Sequence, residues 1–168
     1  LVYGKNIFFI KKKDITESLK NIDFLKSVEV KKKYPNTIII KVYETNPVAI
    51  LYKKNVKYII DNLSNLIIYD ENTNINNLPN VFGENSELHF IKFYNLLKNK
   101  EFPVEKINNY YYFQINRWDL ELFNDQTIKF SSSKTTESIT QSIDLLKRKD
   151  FKNYKVIDLR NYGKIVVE

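Results

Sequence analysis

The side chains that could carry acid–base chemistry are few in this sequence and far apart. Its one histidine, His89, has no second histidine and no cysteine with which to share a metal ion. Asp119 and Glu121 stand two residues apart, a spacing that places both carboxylates on one face of a strand. They alternate with apolar residues such as Trp118 and Leu120. We therefore expect them on the solvent face of that strand and not in a catalytic pair.

Nucleophile and phosphate-binding motifs are also missing. Gly4, Gly83 and Gly163 are too far apart to form a glycine-rich loop around a phosphate. Ser131-Ser132-Ser133 lacks the flanking glycines of an esterase elbow, and the absence of cysteine removes thiol nucleophiles and thiolate zinc sites. The sequence therefore predicts no catalytic residue, no metal ion and no cofactor, and the protein is not expected to be an enzyme.

Positive charge is the strongest bias in the composition, with a net charge of +7 in 168 residues. The basic runs Lys11-Lys12-Lys13 and Lys31-Lys32-Lys33 lie in the first part of the chain, whereas Tyr110-Tyr111-Tyr112, which could stack bases, lies far from them. Arginine, which dominates specific base recognition, is scarce. A basic nucleic-acid-binding module is thus a weaker alternative, beside an anionic lipid surface and a merely solvated lysine-rich surface.

The first 46 residues must position the lysine runs, and their pattern predicts a small α+β unit. Asp14-Ile15-Thr16-Glu17 has the spacing of a capping box, which predicts a helix beginning at Asp14. Apolar residues then alternate with lysines on both sides of Pro35-Asn36, a pattern that predicts a hairpin. The predicted order is a strand at 1–4, the helix from Asp14, a short helix from Asp23 through Phe24 and Leu25, and strands at 28–34 and 37–44.

The remaining residues predict a larger mixed sheet that carries two helices. Short runs rich in Ile, Val, Tyr and Phe, separated by polar turns, favour strands, and two stretches with a helical apolar stripe favour helices. The predicted strands are 48–52, 56–61, 66–69, 107–115, 117–123, 126–130, 156–160 and 164–168, and the predicted helices are 88–98 and 136–149.

Several of these stretches resemble the FtsQ/DivIB family of bacterial cell-division proteins. The stretch from Phe24 to Glu44, followed by Asn46-Pro47-Val48-Ala49, is similar to that family's helix–strand–turn–strand passage, with an aromatic-Pro turn and a closing Glu. Three shorter motifs come in the family's order: Leu78-Pro79 with Gly83, Arg117-Trp118-Asp119-Leu120, and Ile157-Asp158-Leu159-Arg160. The ordered set covers nearly the whole chain and is specific.

The resemblance implies an α+β protein of two domains. Residues 1–46 would form a POTRA domain with the order β-α-α-β-β, and residues 47–168 an FtsQ-type β-domain with an extended, mainly antiparallel sheet. One transmembrane helix would precede this region, which would lie in the periplasm at the division septum, anchored in the inner membrane. The expected role is a non-enzymatic scaffold that binds FtsB/DivIC-type and FtsL-type division proteins. A POTRA-containing outer-membrane assembly or transport protein is the main alternative.

The last strand is the partner-binding site that the resemblance implies. A terminal strand at a sheet edge leaves backbone N–H and C=O groups unpaired, and such an edge accepts a strand from another chain. The expected contact residues are Arg160, Asn161, Tyr162, Gly163, Lys164, Ile165, Val166 and Val167. The alternative is that the charges of Lys164 and Glu168 only protect an exposed edge from aggregation.

A second set of residues is implied by the resemblance in the POTRA hairpin. Val30, Lys32 and Glu44 align with family positions that help bring the protein to the division site. The alternative interpretation is that Val30 belongs to the core and Glu44 balances nearby lysines.

Overall fold

The computed structural model describes residues 6–19, 24–69, 77–161 and 163–168. The chain divides into two compact units, Leu1–Pro47 and Val48–Glu168. None of the helices within the described ranges is long and apolar enough to cross a lipid bilayer.

The first unit contains one helix and one hairpin in its described residues. These are helix α1 (Lys12–Leu19) and strands β1 (Leu25–Lys33) and β2 (Thr37–Glu44), which pair antiparallel. Side chains alternate between the two faces of a strand, so valines and isoleucines share one face of the hairpin. On that face Val30 lies opposite Ile40, and Val28 lies opposite Val42. Ile10, Ile15 and Val30 form the buried cluster of this unit, but Ile40 and Val42 stay exposed.

Two expectations for this unit were wrong in detail. The helix begins at Lys12, so Asp14 lies inside its first turn, where its carboxylate faces the positive end of the helix dipole instead of capping it. The short helix expected to carry Leu25 is not formed there, because Leu25 pairs with Glu44 and begins β1. The strand expected at residues 1–4 lies outside the described residues.

The second unit is a nine-stranded sheet with two long helices. The elements are β3 (Pro47–Lys53), β4 (Val56–Asp61), β5 (Leu66–Ile68), β6 (Asn80–Phe82), α2 (Phe90–Asn99), β7 (Ile107–Phe113), β8 (Arg117–Leu122), β9 (Thr127–Lys129), α3 (Thr135–Lys147), β10 (Val156–Asp158) and β11 (Val166–Val167). Short 3-10 turns lie at Ser86–Leu88, Val104–Lys106 and Asp150–Asn153.

The strands follow the order β11-β10-β9-β8-β7-β6-β3-β4-β5 across the sheet. The pairs β10–β11, β8–β9, β7–β8 and β4–β5 are antiparallel, whereas β9–β10, β6–β7 and β3–β6 are parallel. Helix α2 connects β6 to its parallel neighbour β7, and α3 connects β9 to its parallel neighbour β10, as parallel pairs require. Strand β6 was not predicted, and the terminal strands are shorter than expected.

Both helices pack on one face of this sheet and bury its core. Phe93 of α2 stacks on Trp118 of β8 with ring centroids 4.9 Å apart and planes 3° apart, and Tyr110 meets Phe90 edge-on at 5.1 Å. Ile139 of α3 joins the same buried cluster. Position 83, directly after β6, requires glycine for two reasons. Its φ is +115°, and a Cβ there would lie 2.3 Å from a backbone oxygen of β7.

Candidate partner-binding site

Strand β11 is an edge strand that is bonded to the sheet on one side. Val156 and Glu168 exchange both of their backbone hydrogen bonds, Val156 N donating to Glu168 O at 3.2 Å and Glu168 N to Val156 O at 3.1 Å. Hydrogen-bonded and non-bonded positions alternate along an antiparallel pair. Val167 is therefore a non-bonded position, and its N–H and C=O point away from β10. No strand among the described residues pairs with that open side.

The side chains of β11 leave this backbone rim accessible. Val167 lies opposite Ile157, on the face of the sheet that the helices cover, and is half-buried. Val166 lies opposite Asp158 on the other face and is exposed, as is Ile165. Among these three apolar side chains, only Val167 packs against the helix-covered face. The outer side of the β11 backbone therefore stays free for pairing.

A turn at Asn161–Lys164 leads into the edge strand. Lys164 N donates to Asn161 O at 3.0 Å. Gly163 has a φ of +80°, and a Cβ at that position would meet no atom within 4 Å. The glycine is therefore required by the backbone conformation and not by a close neighbour within the chain. Tyr162, one of the expected contact residues, lies outside the described residues.

Arg160 is bound to a carboxylate of its own chain, whereas it was expected to bind a carboxylate of a partner. Its Nε donates to both carboxylate oxygens of Asp158 at 2.9 Å, and its Nη2 donates to Oδ2 at 2.5 Å. This guanidinium bonding lowers the pKa of Asp158 below its usual value. Because guanidinium has five N–H donors, a partner carboxylate can still be bound on its outer side. The Asp-x-Arg spacing, at the end of a strand, was the sequence signal for the pair.

Charges of alternating sign continue from this pair across the sheet, on the face opposite the helices. Asp158 of β10 lies beside Lys129 of β9, and Lys129 lies beside Asp119 of β8. Opposite charges on neighbouring strands stabilise a sheet, and the charge of Lys129 also favours the ionised form of Asp158, which holds Arg160. Arg160 therefore stands at the end of a row of charges, next to the open edge.

Of the two carboxylates expected on a solvent face, Asp119 is buried and Glu121 is half-buried. Asp119 is only 6% exposed and pairs with Arg117, whose Nε lies 3.2 Å from Oδ1. Burial raises the pKa of Asp119, although Arg117 opposes the shift. Glu121 accepts hydrogen bonds from Asn109 Nδ2 at 3.0 Å and from the Tyr111 hydroxyl at 2.7 Å, which lower its pKa. The expectation of full solvent exposure was wrong for Asp119, because neighbouring strands bring side chains that the sequence of one strand cannot reveal.

The other residues considered for chemistry have structural surroundings. His89 stacks on Tyr112 with ring centroids 4.9 Å apart. Tyr110 and Tyr112 are buried in the core, so they have no free ring face on which a base could stack. Burial, followed by the hydrogen bond to Glu121, raises the pKa of Tyr111 to about 12. Within the described ranges, no group of three or more His, Cys, Asp or Glu side chains is arranged to hold a metal ion.

The three residues considered in the first unit have different surroundings. Val30 is buried against Ile10 and Ile15. The Nζ of Lys32 donates to the backbone oxygen of Ile7 at 2.8 Å, which ties the segment before α1 to the hairpin. Glu44 is exposed at the end of β2. Of the three, Glu44 is the side chain that another protein can contact without disturbing this unit.

Comparison with known proteins gives matches to one family. Residues 1–45 match the model of the POTRA domain, FtsQ-type. The chain is 31% identical over 171 residues to the cell division protein FtsQ of Rickettsia bellii, covering 98% of this chain and 62% of that protein. It is 29% identical over 177 residues to FtsQ of Rickettsia conorii, with the same two coverages. For FtsQ of Rickettsia prowazekii the identity is 30% over 171 residues, or 96% of this chain and 61% of that protein.

These matches confirm the resemblance that the sequence motifs indicated. With the helices and sheets described above, they also confirm the fold class, a POTRA domain followed by a sheet-rich domain. The chain spans about three fifths of the length of the curated relatives it matches.

Proposed function

We propose that this chain, which belongs to the FtsQ family of cell-division proteins, is a non-enzymatic scaffold of the division machinery. Its second unit would bind an FtsB/DivIC-type partner, and through it an FtsL-type protein, by accepting a strand at β11. The region would lie in the periplasm at the septum, held in the inner membrane by a transmembrane helix. The open backbone side of β11 is the observation that carries this proposal.

Strand addition fits this edge in three respects. The outward N–H and C=O of Val167 supply main-chain hydrogen bonds, which give most of the affinity in this mode of recognition. The exposed Val166 and Ile165 offer apolar contacts on either face of an added strand. Arg160 adds a cation beside the edge, oriented by Asp158, that can bind a carboxylate of the partner.

A backbone substitution tests the edge directly. Val167→Pro removes an outward N–H while keeping the bonds that Glu168 makes with Val156, because proline is tolerated at an edge position whose N–H faces outward. We expect it to weaken binding of the extracytoplasmic segment of the organism's own FtsB-type protein by at least about tenfold in isothermal titration calorimetry. Val167→Ala is the matched control, since it shortens the same side chain but keeps the N–H.

The outcomes separate backbone pairing from side-chain contact. Weak binding by Val167→Pro together with near-normal binding by Val167→Ala supports strand addition. Equal affinity in wild type and Val167→Pro, with both variants folded by circular dichroism, would rule out β11 as the receiving strand.

We also propose that the POTRA hairpin helps to bring the protein to the septum, with Glu44 as its contact. Lys32→Glu is a poor test, because it would break the hydrogen bond to Ile7 and place a carboxylate against a backbone oxygen. Glu44→Lys changes an exposed charge, and Glu29→Lys is a matched control on the same hairpin. We expect a fluorescent fusion carrying Glu44→Lys to lose septal localisation, while the Glu29→Lys fusion keeps it. Equal septal signal in both would remove Glu44 from recruitment.

A further inference from the structure

The segment before α1 presents two neighbouring phenylalanines to solvent. Phe8 is 66% and Phe9 81% exposed, whereas Ile7 and Ile10 on either side are buried. A turn fixes this arrangement, because Phe8 N donates to Asn6 Oδ1 and Phe9 N to Asn6 O, both at 3.0 Å. The buried isoleucines and the turn together force the two aromatic rings outward.

The tip of the hairpin adds a third aromatic ring. Tyr34 is 54% exposed and stacks on Phe8, with centroids 4.9 Å apart and planes 22° apart. The Lys32 Nζ–Ile7 O hydrogen bond of 2.8 Å holds the same segment against the hairpin. We call Phe8, Phe9 and Tyr34 the aromatic tip. The stacking on Tyr34 holds the ring of Phe8, and the turn and the Lys32 bond hold the backbone that carries Phe9.

Exposed lysines adjoin the aromatic tip in the chain. Lys11, Lys12 and Lys13 follow the phenylalanines directly, and Lys33 precedes Tyr34. The acids of the same stretch are Asp14 and Glu17 in α1, and Glu17 pairs with Lys13 at 3.7 Å. With Lys31, Lys32 and the acid of the same strand, Glu29, counted, six lysines stand against three acids, so the sequence around the aromatic tip carries a net positive charge.

Fixed aromatic rings among lysines match the chemistry of a bilayer surface. Tyrosine favours the headgroup region of a membrane, exposed phenylalanine buries at the boundary between headgroups and acyl chains, and lysines near the surface are attracted by anionic lipid. A protein partner is a poorer match, because tight protein interfaces are enriched in arginine and depleted of lysine. The first 47 residues contain ten lysines and no arginine. We propose that the aromatic tip docks onto the surface of a bilayer that contains anionic phospholipid.

This proposal is independent of the scaffold function. Docking of the first unit on lipid requires neither strand addition at β11 nor a contact at Glu44. Either proposal can fail while the other holds, because the experiment below contains no partner protein.

Vesicle flotation with the 168-residue chain tests the docking. We expect it to bind vesicles of phosphatidylcholine and phosphatidylglycerol mixed at about 7:3, and to bind pure phosphatidylcholine vesicles much more weakly. Phe9→Ser should reduce binding to the mixed vesicles about tenfold, and Phe8→Ser/Phe9→Ser more strongly. The matched control is Phe123→Ser, which removes an exposed phenylalanine from the second unit. Phe9 is so exposed that its loss leaves the fold intact, which circular dichroism checks.

A second pair of variants tests the charge. Lys11→Gln/Lys12→Gln should weaken binding to the mixed vesicles by about tenfold or more, because each surface lysine contributes about 1 kcal/mol to attraction by anionic lipid. Lys152→Gln/Lys155→Gln removes two exposed lysines from the second unit and should have a smaller effect.

Four results would overturn the proposal. The first is absence of binding to the mixed vesicles, and the second is equal binding to both kinds of vesicle. The third is binding that depends on the lysines but not on Phe9, which would indicate attraction to any polyanion, nucleic acid included. The fourth is a dimer in analytical ultracentrifugation that Phe9→Ser dissociates, which would make the aromatic tip a self-association surface.

Discussion

The two units of this chain differ in how deeply they bury their strands. In the first unit, the described hairpin has one fully buried position, Val30, while Ile40 directly opposite remains 42% exposed. In the second unit, two helices pack on one face of the sheet, and Phe93 of α2 contacts Trp118 and Tyr110 there. The second unit can therefore hold an unpaired edge strand in place. The first unit has little core, so we expect its contribution to binding to come from exposed side chains and not from a backbone edge held in place.

The difference has a physical origin in size. A unit of fewer than 50 residues cannot bury enough apolar area for high stability, whereas a sheet covered by helices can. This contrast can be tested by removing core contacts from each unit, and then an ion pair beside the edge strand.

The largest effect is expected for Phe93→Ala. Its ring is buried and stacks on Trp118 at 4.9 Å, so truncation leaves a cavity against the indole and should lower the free energy of unfolding by about 3–5 kcal/mol. Urea unfolding followed by fluorescence of Trp118, the one tryptophan of the chain, measures it. Phe123→Ala, at an exposed phenylalanine, should change the free energy by less than about 0.5 kcal/mol. Similar losses for both would show that the core beneath α2 is loosely packed.

A smaller effect is expected for Ile15→Ala in the first unit. Ile15 is buried against Ile10 and Val30, but few other groups surround it, so the expected loss is about 2 kcal/mol, at the low end for such truncations. The loss can be measured as faster amide hydrogen exchange in β1 and β2. Ile40→Ala changes an exposed residue on the hairpin face that carries Val30, and it should barely change that exchange. If Ile15→Ala costs as much as Phe93→Ala, the contrast between the two cores is wrong.

The smallest effect is expected for Asp158→Asn and depends on pH. The Arg160 guanidinium lowers the pKa of Asp158 in the folded protein, so the ionised carboxylate stabilises the fold above its unfolded pKa of about 3.8. Because Arg160 is largely exposed, we expect a loss below about 1 kcal/mol at pH 7. The difference between wild type and variant should vanish as pH falls through the folded pKa, which urea unfolding between about pH 2 and pH 7 measures.

The matched control for this pair is Asp150→Asn. Asp150 pairs with Arg148 beyond the end of α3, where both side chains are exposed, and the arginine lowers the pKa of Asp150 in the same direction. Solvent screens that pair, so the pH-dependent loss should be smaller than for Asp158→Asn. An equal or larger loss for Asp150→Asn would mean that the row of charges adds nothing beside the edge.

Sequence patterns predicted the long, regular elements well. Alternation around Pro35-Asn36 predicted the hairpin that β1 and β2 form, and the apolar stripe of Phe90, Phe93 and Leu97 predicted α2. Periodicity is reliable here because one face of each element must be buried, and the period of the chain decides which residues share that face. The family resemblance came from the same stretches.

Shorter elements escaped prediction because their stability comes from their neighbours. Strand β6 is three residues long and has no alternation of its own, and it exists because β3 and β7 both pair with it. The capping-box pattern at Asp14 placed the start of α1 two residues late. Local patterns describe what a segment can form, and tertiary pairing decides where it begins and ends.

By itself, the sequence indicated the resemblance to FtsQ proteins, the hairpin, the two long helices and the excess of lysine in the first unit, since all of these follow from residue type and spacing. Only the tertiary structure decided that Asp119 is buried, that Asp158 holds Arg160, and that β11 pairs with β10 and leaves its other side open. It also decided that Lys32 holds Ile7 while Phe8 and Phe9 point outward. The reason is that burial, ion pairing and edge exposure depend on residues far apart in the chain, and strand order brings these together in a way that no local pattern encodes.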